Sequence, residues 1–213
     1  MNRSRLLMLS IVAGLAALST SARASGPRAA TSTAPAIIRL VGSAAGTADT
    51  NAGEFTVVVR DRAANPINGA SVVVDFSLCP DVTICSDQLD PNTLINCGNK
   101  TVRKFTEVDG SVKITIIGGS TGAGGASTIG GGARIFANGT LLSSPSVAVY
   151  DLDGQFGVGA GDLAAWLADF AIGQPWARSD YDGDGSIGAG DLAAWLGVFA
   201  AGTSASSCST LCP

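Results

Sequence analysis

Histidine is missing from this 213-residue chain, and its absence removes whole classes of chemistry. No Ser-His or Cys-His nucleophile pair can be assembled, and no histidine metal site. Positive charge is scarce too, with 13 Lys and Arg against 17 Asp and Glu. Such a chain has no electrostatic grip on a phosphate backbone, which excludes nucleic acid as a partner. A membrane span is also lacking, because a spanning helix needs ~20 apolar residues. The longest apolar run, residues 6–18, falls short of that.

That run has the features of an export signal. Arg3 and Arg5 precede it, and Ala22-Arg23-Ala24 follows, a small-x-small triplet of the kind signal peptidase cuts. The pattern predicts a signal peptide over residues 1–24, cleaved after Ala24, with an uncleaved anchor as the alternative. The expected product is secreted, soluble, and extracellular or held at the cell surface. Losing Arg3, Arg5 and Arg23 leaves ten basic residues against 17 acidic ones, a net charge of −7.

Five cysteines in an exported chain point to disulfides. Cys79, Cys85 and Cys97 share a polar stretch, and Cys208 and Cys212 lie close to the C-terminus. The spacings fit neither CxxC nor a zinc knuckle, so loop staples are expected rather than a metal or redox site. Cys208–Cys212 is the simplest local pair, and two of the other three could bridge. The fifth is then free or bonded to another chain.

Residues 25–33 read as a linker. From 34 to 150 the pattern is that of strands. Phe55, Val57 and Val59 alternate with Thr56, Val58 and Arg60, while Val72, Val74 and Phe76 alternate with Val73 and Asp75. Val112, Ile114 and Ile116 alternate with Lys113 and Thr115. Period-two alternation of β-branched residues predicts half-buried antiparallel strands. Further strands are expected at 36–41, 102–106, 133–137 and 147–150, with turns at Asn68-Gly69, Asp109-Gly110 and Asn138-Gly139. About seven short strands over this length suit a β-sandwich. Gly118 to Gly132 is rich in Gly, Ser, Thr and Ala and lacks the Lys-Ser or Lys-Thr of a phosphate loop, so it reads as a flexible inter-strand loop.

Three segments carry a resemblance: Gly53-Glu54-Phe55-Thr56-Val57-Val58-Val59-Arg60-Asp61, Asn65-Pro66-Ile67-Asn68-Gly69-Ala70-Ser71-Val72 and Asp109-Gly110-Ser111-Val112. They are similar to the bacterial Ig-like domains of the invasin–intimin group. The resemblance implies an Ig-like sandwich and, by itself, no activity.

The clearest signal is a repeat. Gly159-Ala160-Gly161-Asp162-Leu163-Ala164-Ala165-Trp166-Leu167 recurs as Gly188-Ala189-Gly190-Asp191-Leu192-Ala193-Ala194-Trp195-Leu196. An acidic loop precedes each copy. In the second, Asp180, Asp182 and Asp184 take positions 1, 3 and 5 of a twelve-residue window. Gly185 is at 6, Ser186 offers its backbone carbonyl at 7, Ile187 is at 8 and Asp191 at 12. This is the grammar of an EF-hand calcium loop, with Asp closing it in place of Glu. In the first copy Asp151, Asp153 and Asp162 take positions 1, 3 and 12, Gln155 takes 5, and Phe156 stands where Gly is wanted. One strong and one weaker Ca²⁺ site are expected. The stripes Leu163, Trp166, Leu167, Phe170 and Leu192, Trp195, Leu196, Phe199 each fall on one helix face, which predicts burial of one copy against the other. The two tryptophans as a ligand-binding surface are the alternative.

Two loop–helix units of this kind, over residues 151–201, resemble a type I dockerin. The resemblance implies a cohesin-like domain, or another extracellular protein, as partner. Ala160-Gly161 and Ala189-Gly190 fill loop positions 10 and 11, where dockerins commonly carry hydrogen-bonding side chains. Residues 202–213 read as a C-terminal tail with Cys208 and Cys212. The expected whole is therefore a mainly β Ig-like sandwich followed by a small α, paired loop–helix module. No catalytic or organic-cofactor constellation is visible. Extracellular protein–protein attachment is the expected function, and a calcium-stabilised structural or adhesin-like surface protein without a cohesin is the alternative. A glycosidase acting through two carboxylates is a third possibility, for which Glu54 and Glu107 offer no paired acid.

Overall fold

Alternating apolar residues become strands wherever one face can be buried, and the first half of the chain follows that rule. The computed structural model describes residues 25–122, 132–155, 157–173, 177–206, 208 and 210–212. The predicted export signal, most of the Gly-rich segment, Phe156 and Pro175 lie outside the described residues. After β1 (Ile37–Val41) come β2 (Ser43–Ala44), β3 (Thr47–Ala48), one helical turn, α1 (Thr50–Gly53), and β4 (Phe55–Val58). The chain continues through β5 (Ser71–Asp75), β6 (Val82–Cys85), β7 (Leu94–Asn96), β8 (Thr101–Phe105), β9 (Ser111–Ile114) and β10 (Ile116–Ser120). Then follow β11 (Arg134–Ala137), β12 (Thr140–Ser143), β13 (Ser146–Val149), two helices, α2 (Ala160–Ile172) and α3 (Ala189–Ala201), and a final strand β14 (Leu211–Cys212). The fold is mainly β with a few small helices.

Among the described residues one five-stranded sheet runs β13-β1-β10-β6-β14 and another β12-β11-β5-β8-β7. β4 pairs with β9, and β2 with β3. Val72, Val74 and Phe76 are fully buried while Val73 and Asp75 are half-buried, as the period of two requires. Asn138 at φ +45° and Gly139 at φ +81° form the two-residue turn that joins β11 to β12.

Two expectations are corrected. The first sheet is mixed, because β1 lies parallel to both neighbours, with Ile38 opposite Val147 and Leu40 opposite Ile116. Parallel pairing joins distant segments and leaves no hairpin signature in the local sequence. Gly118 and Gly119 belong to β10 and are buried, not part of a loop. A Cβ on Gly118 would stand 2.4 Å from the Thr83 carbonyl oxygen on β6. Glycine serves close approach there, a need that composition alone cannot distinguish from mobility.

Ile38, Leu40, Val57, Val74, Ile114 and Ile135, from the two five-stranded sheets and the β4–β9 pair, belong to one buried cluster, which also takes in Trp166, Tyr181 and Trp195. The helices therefore share the core of the sheets. Full burial of an aliphatic side chain stabilises by about 1.5–3 kcal/mol.

The disulfides are Cys85–Cys208 and Cys97–Cys212, not the local Cys208–Cys212 pair. Two disulfides place the chain in an oxidising environment. Cys79 is free and buried, its thiol pushed up to about 12 by burial, which leaves it chemically inert. The described part of residues 202–213 is stitched down rather than trailing. β14 pairs with β6, Ser43 and Ser206 exchange backbone hydrogen bonds, and the Thr203 and Ser204 hydroxyls donate to Asp49. Among the described residues no helix is long and apolar enough to cross a membrane.

Candidate metal centres

Each acidic loop is held at its second position. Leu152 in the first copy and Tyr181 in the second are buried in the shared core. Tyr181 stacks on Tyr150 with ring centroids 4.6 Å apart, donates its hydroxyl to the Val149 carbonyl oxygen at 2.9 Å, and accepts from Arg39 Nε at 2.5 Å. No residue separates β13 from the first loop except Tyr150, so the strand delivers Asp151 directly.

In the second loop the carboxylates of Asp180, Asp182 and Asp184 bring one oxygen each within 4.8 Å of the others. Gly185 makes the turn at φ +86°, a conformation that costs a non-glycine residue about 1 kcal/mol or more. No Lys or Arg among the described residues forms an ion pair with this trio. Asp191 is not part of it. Its Oδ1 accepts from the Tyr181 and Asp182 backbone N–H groups at 2.6 and 3.1 Å, and its Oδ2 from Gly188 N–H at 2.8 Å. Asp191 thus ties the start of the loop to the first turn of α3. Ser186 is exposed and donates its hydroxyl to Asp184 at 2.6 Å.

In the first loop Asp151, Asp153 and Asp162 come together within the same 4.8 Å. Asp162 also accepts from Leu152, Asp153 and Gly159 N–H groups, as Asp191 does in its own copy. Gln155 is exposed, and its backbone N–H donates to Asp153. Gly157 lies at φ +148°, so a glycine beside the Phe156 position carries an unusual backbone angle. Three convergent carboxylates per loop, with all-oxygen donors, fit a hard divalent cation.

The position-11 glycines lie close against the position-3 carboxylates. A Cβ on Gly161 would lie 1.9 Å from Asp153 Oδ2, and one on Gly190 would lie 2.4 Å from Asp182 Oδ2. In each copy the position-3 carboxylate fills the space a side chain would need.

No family model, no curated protein and no solved structure matches this chain.

Crowding of acids shows in their protonation. Burial first, and then the charge of Asp162, push the Asp151 carboxyl up to about 6. Burial raises Asp162 and Asp180 as well, whereas hydrogen bonds from Ser186 lower the exposed Asp184. A carboxyl raised in the folded state binds more protons folded than unfolded. Its stabilising effect is complete below the unfolded value and is lost as pH rises through about 6. Carboxyls that are lowered, such as Asp75 and Asp90, are already ionised by pH 5 and do not offset it. Protein stripped of divalent ions should therefore melt lower at pH 7 than at pH 5. A bound cation should abolish that difference by taking the place of the protons. Paired thermal scans with and without Ca²⁺ check both signs.

The apolar stripes behave differently from expectation. Trp166 and Trp195 are buried, stacked on Phe170 and Phe199 at 5.5 and 5.3 Å, which makes them core rather than a ligand surface. Leu167, Phe170, Leu196 and Phe199 are instead 44–51% exposed. The other copy does not cover them, because each helix inserts only its tryptophan edge into the β core. Sequence reading also missed the buried Asp169–Arg178 pair. Arg178 donates Nε to Asp169 Oδ2 at 2.7 Å and Nη2 to Oδ1 at 2.5 Å, with the Ser179 hydroxyl on Oδ2 at 2.6 Å. The one sequence cue was Asp169 facing Val198 at the same repeat position.

Proposed function

We propose that this is a secreted, non-catalytic modular protein. An Ig-like sandwich carries a dockerin-like unit, which binds calcium and mediates attachment to another extracellular protein. The convergence of Asp180, Asp182 and Asp184 around the Gly185 turn supports the calcium reading most directly. Calcium suits it better than magnesium, because loop carboxylates and carbonyls at this spacing accommodate a larger, flexible coordination sphere. Attachment is supported by the exposed Leu167, Phe170, Leu196 and Phe199, which occupy matched positions of the two copies. A cohesin-like domain is the partner that the dockerin resemblance implies.

A second reading has its own support. Glycine at position 11 leaves no side chain for partner selection, and the buried Tyr181 seats the second loop on the β core. Calcium would then lock a structural or adhesin-like surface protein that has no cohesin.

Calorimetric titration of Ca²⁺ into metal-stripped protein tests the shared premise. One tighter and one weaker site are expected, with a rise in melting temperature. At a hundredfold excess over Kd the stabilisation is about 2.7 kcal/mol. Asp180→Ala or Asp191→Ala should remove most of it, and Asp151→Ala less. Equal effects from all three would contradict the ranking of the loops, and an absence of heat and stabilisation would reject the metal. Calcium-dependent capture of a cohesin domain, lost in Leu196→Glu, would then select attachment over the structural reading.

A further inference from the structure

Beside the start of both acidic loops, an open groove of about 400 Å³ lies between α1 and α3. That is a volume ordinary for small-molecule sites. Arg39 of β1 and Tyr150, just past β13, line it, Asp49 and Asn51 add polar groups, and Val198 and Ala201 of α3 give an apolar wall. Two of these polar groups lack protein partners. Tyr150 is only 3% exposed, yet its hydroxyl makes no hydrogen bond among the described residues. Arg39, Asp49 and Tyr150 line the same groove, which sets all three groups together. Arg39 uses only Nε, on the Tyr181 carbonyl oxygen, so both terminal nitrogens remain available.

The donors are therefore unmatched, while the acceptor opposite them is already satisfied. Asp49 Oδ1 accepts from Ala52 N–H at 3.2 Å, and Oδ2 accepts from the Thr203 and Ser204 hydroxyls. A neutral sugar suits this poorly. It brings donors that find no free carboxylate, and the aromatic face it would stack on is covered by Tyr181 at an interplanar angle of 3°. An acceptor head with a short apolar body fits better. A carboxylate can take two parallel bonds from the guanidinium and one from the phenol, and the buried Asp49 charge limits the head to a single negative charge.

We propose that this groove binds an aliphatic monocarboxylate, held at its head by Arg39 and Tyr150 and along its chain by Val198 and Ala201. Such a group occurs as a free short-chain acid or as the C-terminus of a peptide ending in an aliphatic residue. None of these side chains is a candidate metal ligand, and holding Ca²⁺ at saturation separates failure of this site from failure of the calcium reading.

The test uses hexanoate as probe, titrated into the purified full chain and read by calorimetry and NMR at saturating Ca²⁺. Saturable binding is expected, weakened roughly tenfold in Tyr150→Phe, because a hydrogen bond to a charged group is lost. Tyr150→Phe removes a hydroxyl that has no partner, so its melting temperature should match that of the parent. Ala201→Trp, at an exposed position of α3, should block the groove. Hexanamide should bind at least tenfold more weakly than hexanoate. A dipeptide with a free C-terminal Leu competing with hexanoate, where its amide does not, would identify the peptide source; hexanoate alone would identify the free acid. Lack of saturable binding overturns the proposal. So does equal affinity in the parent, Tyr150→Phe and Ala201→Trp, or an oligosaccharide that binds this groove while hexanoate does not.

Discussion

Asp169→Ala is expected to destabilise the protein by about 3–5 kcal/mol, the effect of leaving one partner of a buried ion pair alone. Asp169 is 2% exposed on α2, and Arg178 is 9% exposed in the 3-10 turn Ala177–Ser179. The guanidinium fork meets both carboxylate oxygens, and the Asp169 hydrogen bonds hold Arg178 above its usual range. Removing the carboxylate takes away the two hydrogen bonds and the nearest opposite charge that hold the buried guanidinium, beside Asp81, whose own carboxyl is raised by burial. Asp169→Asn keeps an acceptor for Ser179 and should fall between the two. Replacing both partners, Asp169→Leu with Arg178→Met, should recover most of the loss, because the desolvation penalty disappears along with the attraction. Urea unfolding with an unchanged m-value measures the series. A loss under about 1 kcal/mol for Asp169→Ala would mean that the pair is solvated, as surface pairs are.

The same pair shows where reading of the sequence stopped. Strands whose period repeats locally were legible: Val72, Val74 and Phe76 point inwards as expected, and Ile38 and Leu40 do too. β6, β7 and β14 were not legible, because they sit in Cys-, Asp- and Ser-bearing stretches and exist through partners far along the chain. The loop aspartates were legible because position in a twelve-residue window fixes their convergence, and Asp151, Asp153 and Asp162 do converge. What the window cannot show is division of labour. Asp191 engages three backbone N–H groups and stands apart from the trio that precedes it. A helix stripe likewise records which residues share a face, not how deep that face sinks. Trp195 reaches the core while Phe199, one turn on, stays half exposed. Arg178 and Asp169 belong to no periodic pattern, and only the folded chain brings them together.

Loss of the cross-links is the other large expected effect, and it should be distinctly non-additive. Cys85–Cys208 and Cys97–Cys212 have sequence separations of 123 and 115 and interlace, with their ends close together along the chain. With either one intact, the large loop of the unfolded chain stays closed. The second bond then closes only a small additional loop, formed by the short segments between the paired cysteines. On the chain-entropy model a loop of that size contributes about 3 kcal/mol and one of a hundred residues about 4.7 kcal/mol. Cys85→Ser and Cys212→Ser should therefore each cost about 3 kcal/mol, whereas the double variant should cost about 8 kcal/mol. A domain whose total stability is of order 5–15 kcal/mol would be left marginal by that loss. The folded side contributes as well. Leu211 pairs with Cys85, and the Ser86 and Thr210 hydroxyls share a hydrogen bond, so strain-free release of β14 would expose the edge of β6. Chemical denaturation of the two single variants and the double variant decides the matter. A double variant no weaker than either single one would show that the C-terminal strand is held by its pairing alone. Because Cys79 is buried with its thiol pushed up to about 12, it should not enter exchange with the freed partners. The calcium-dependent rise in melting temperature of the double variant should persist, since neither acidic loop contains a cross-linked residue.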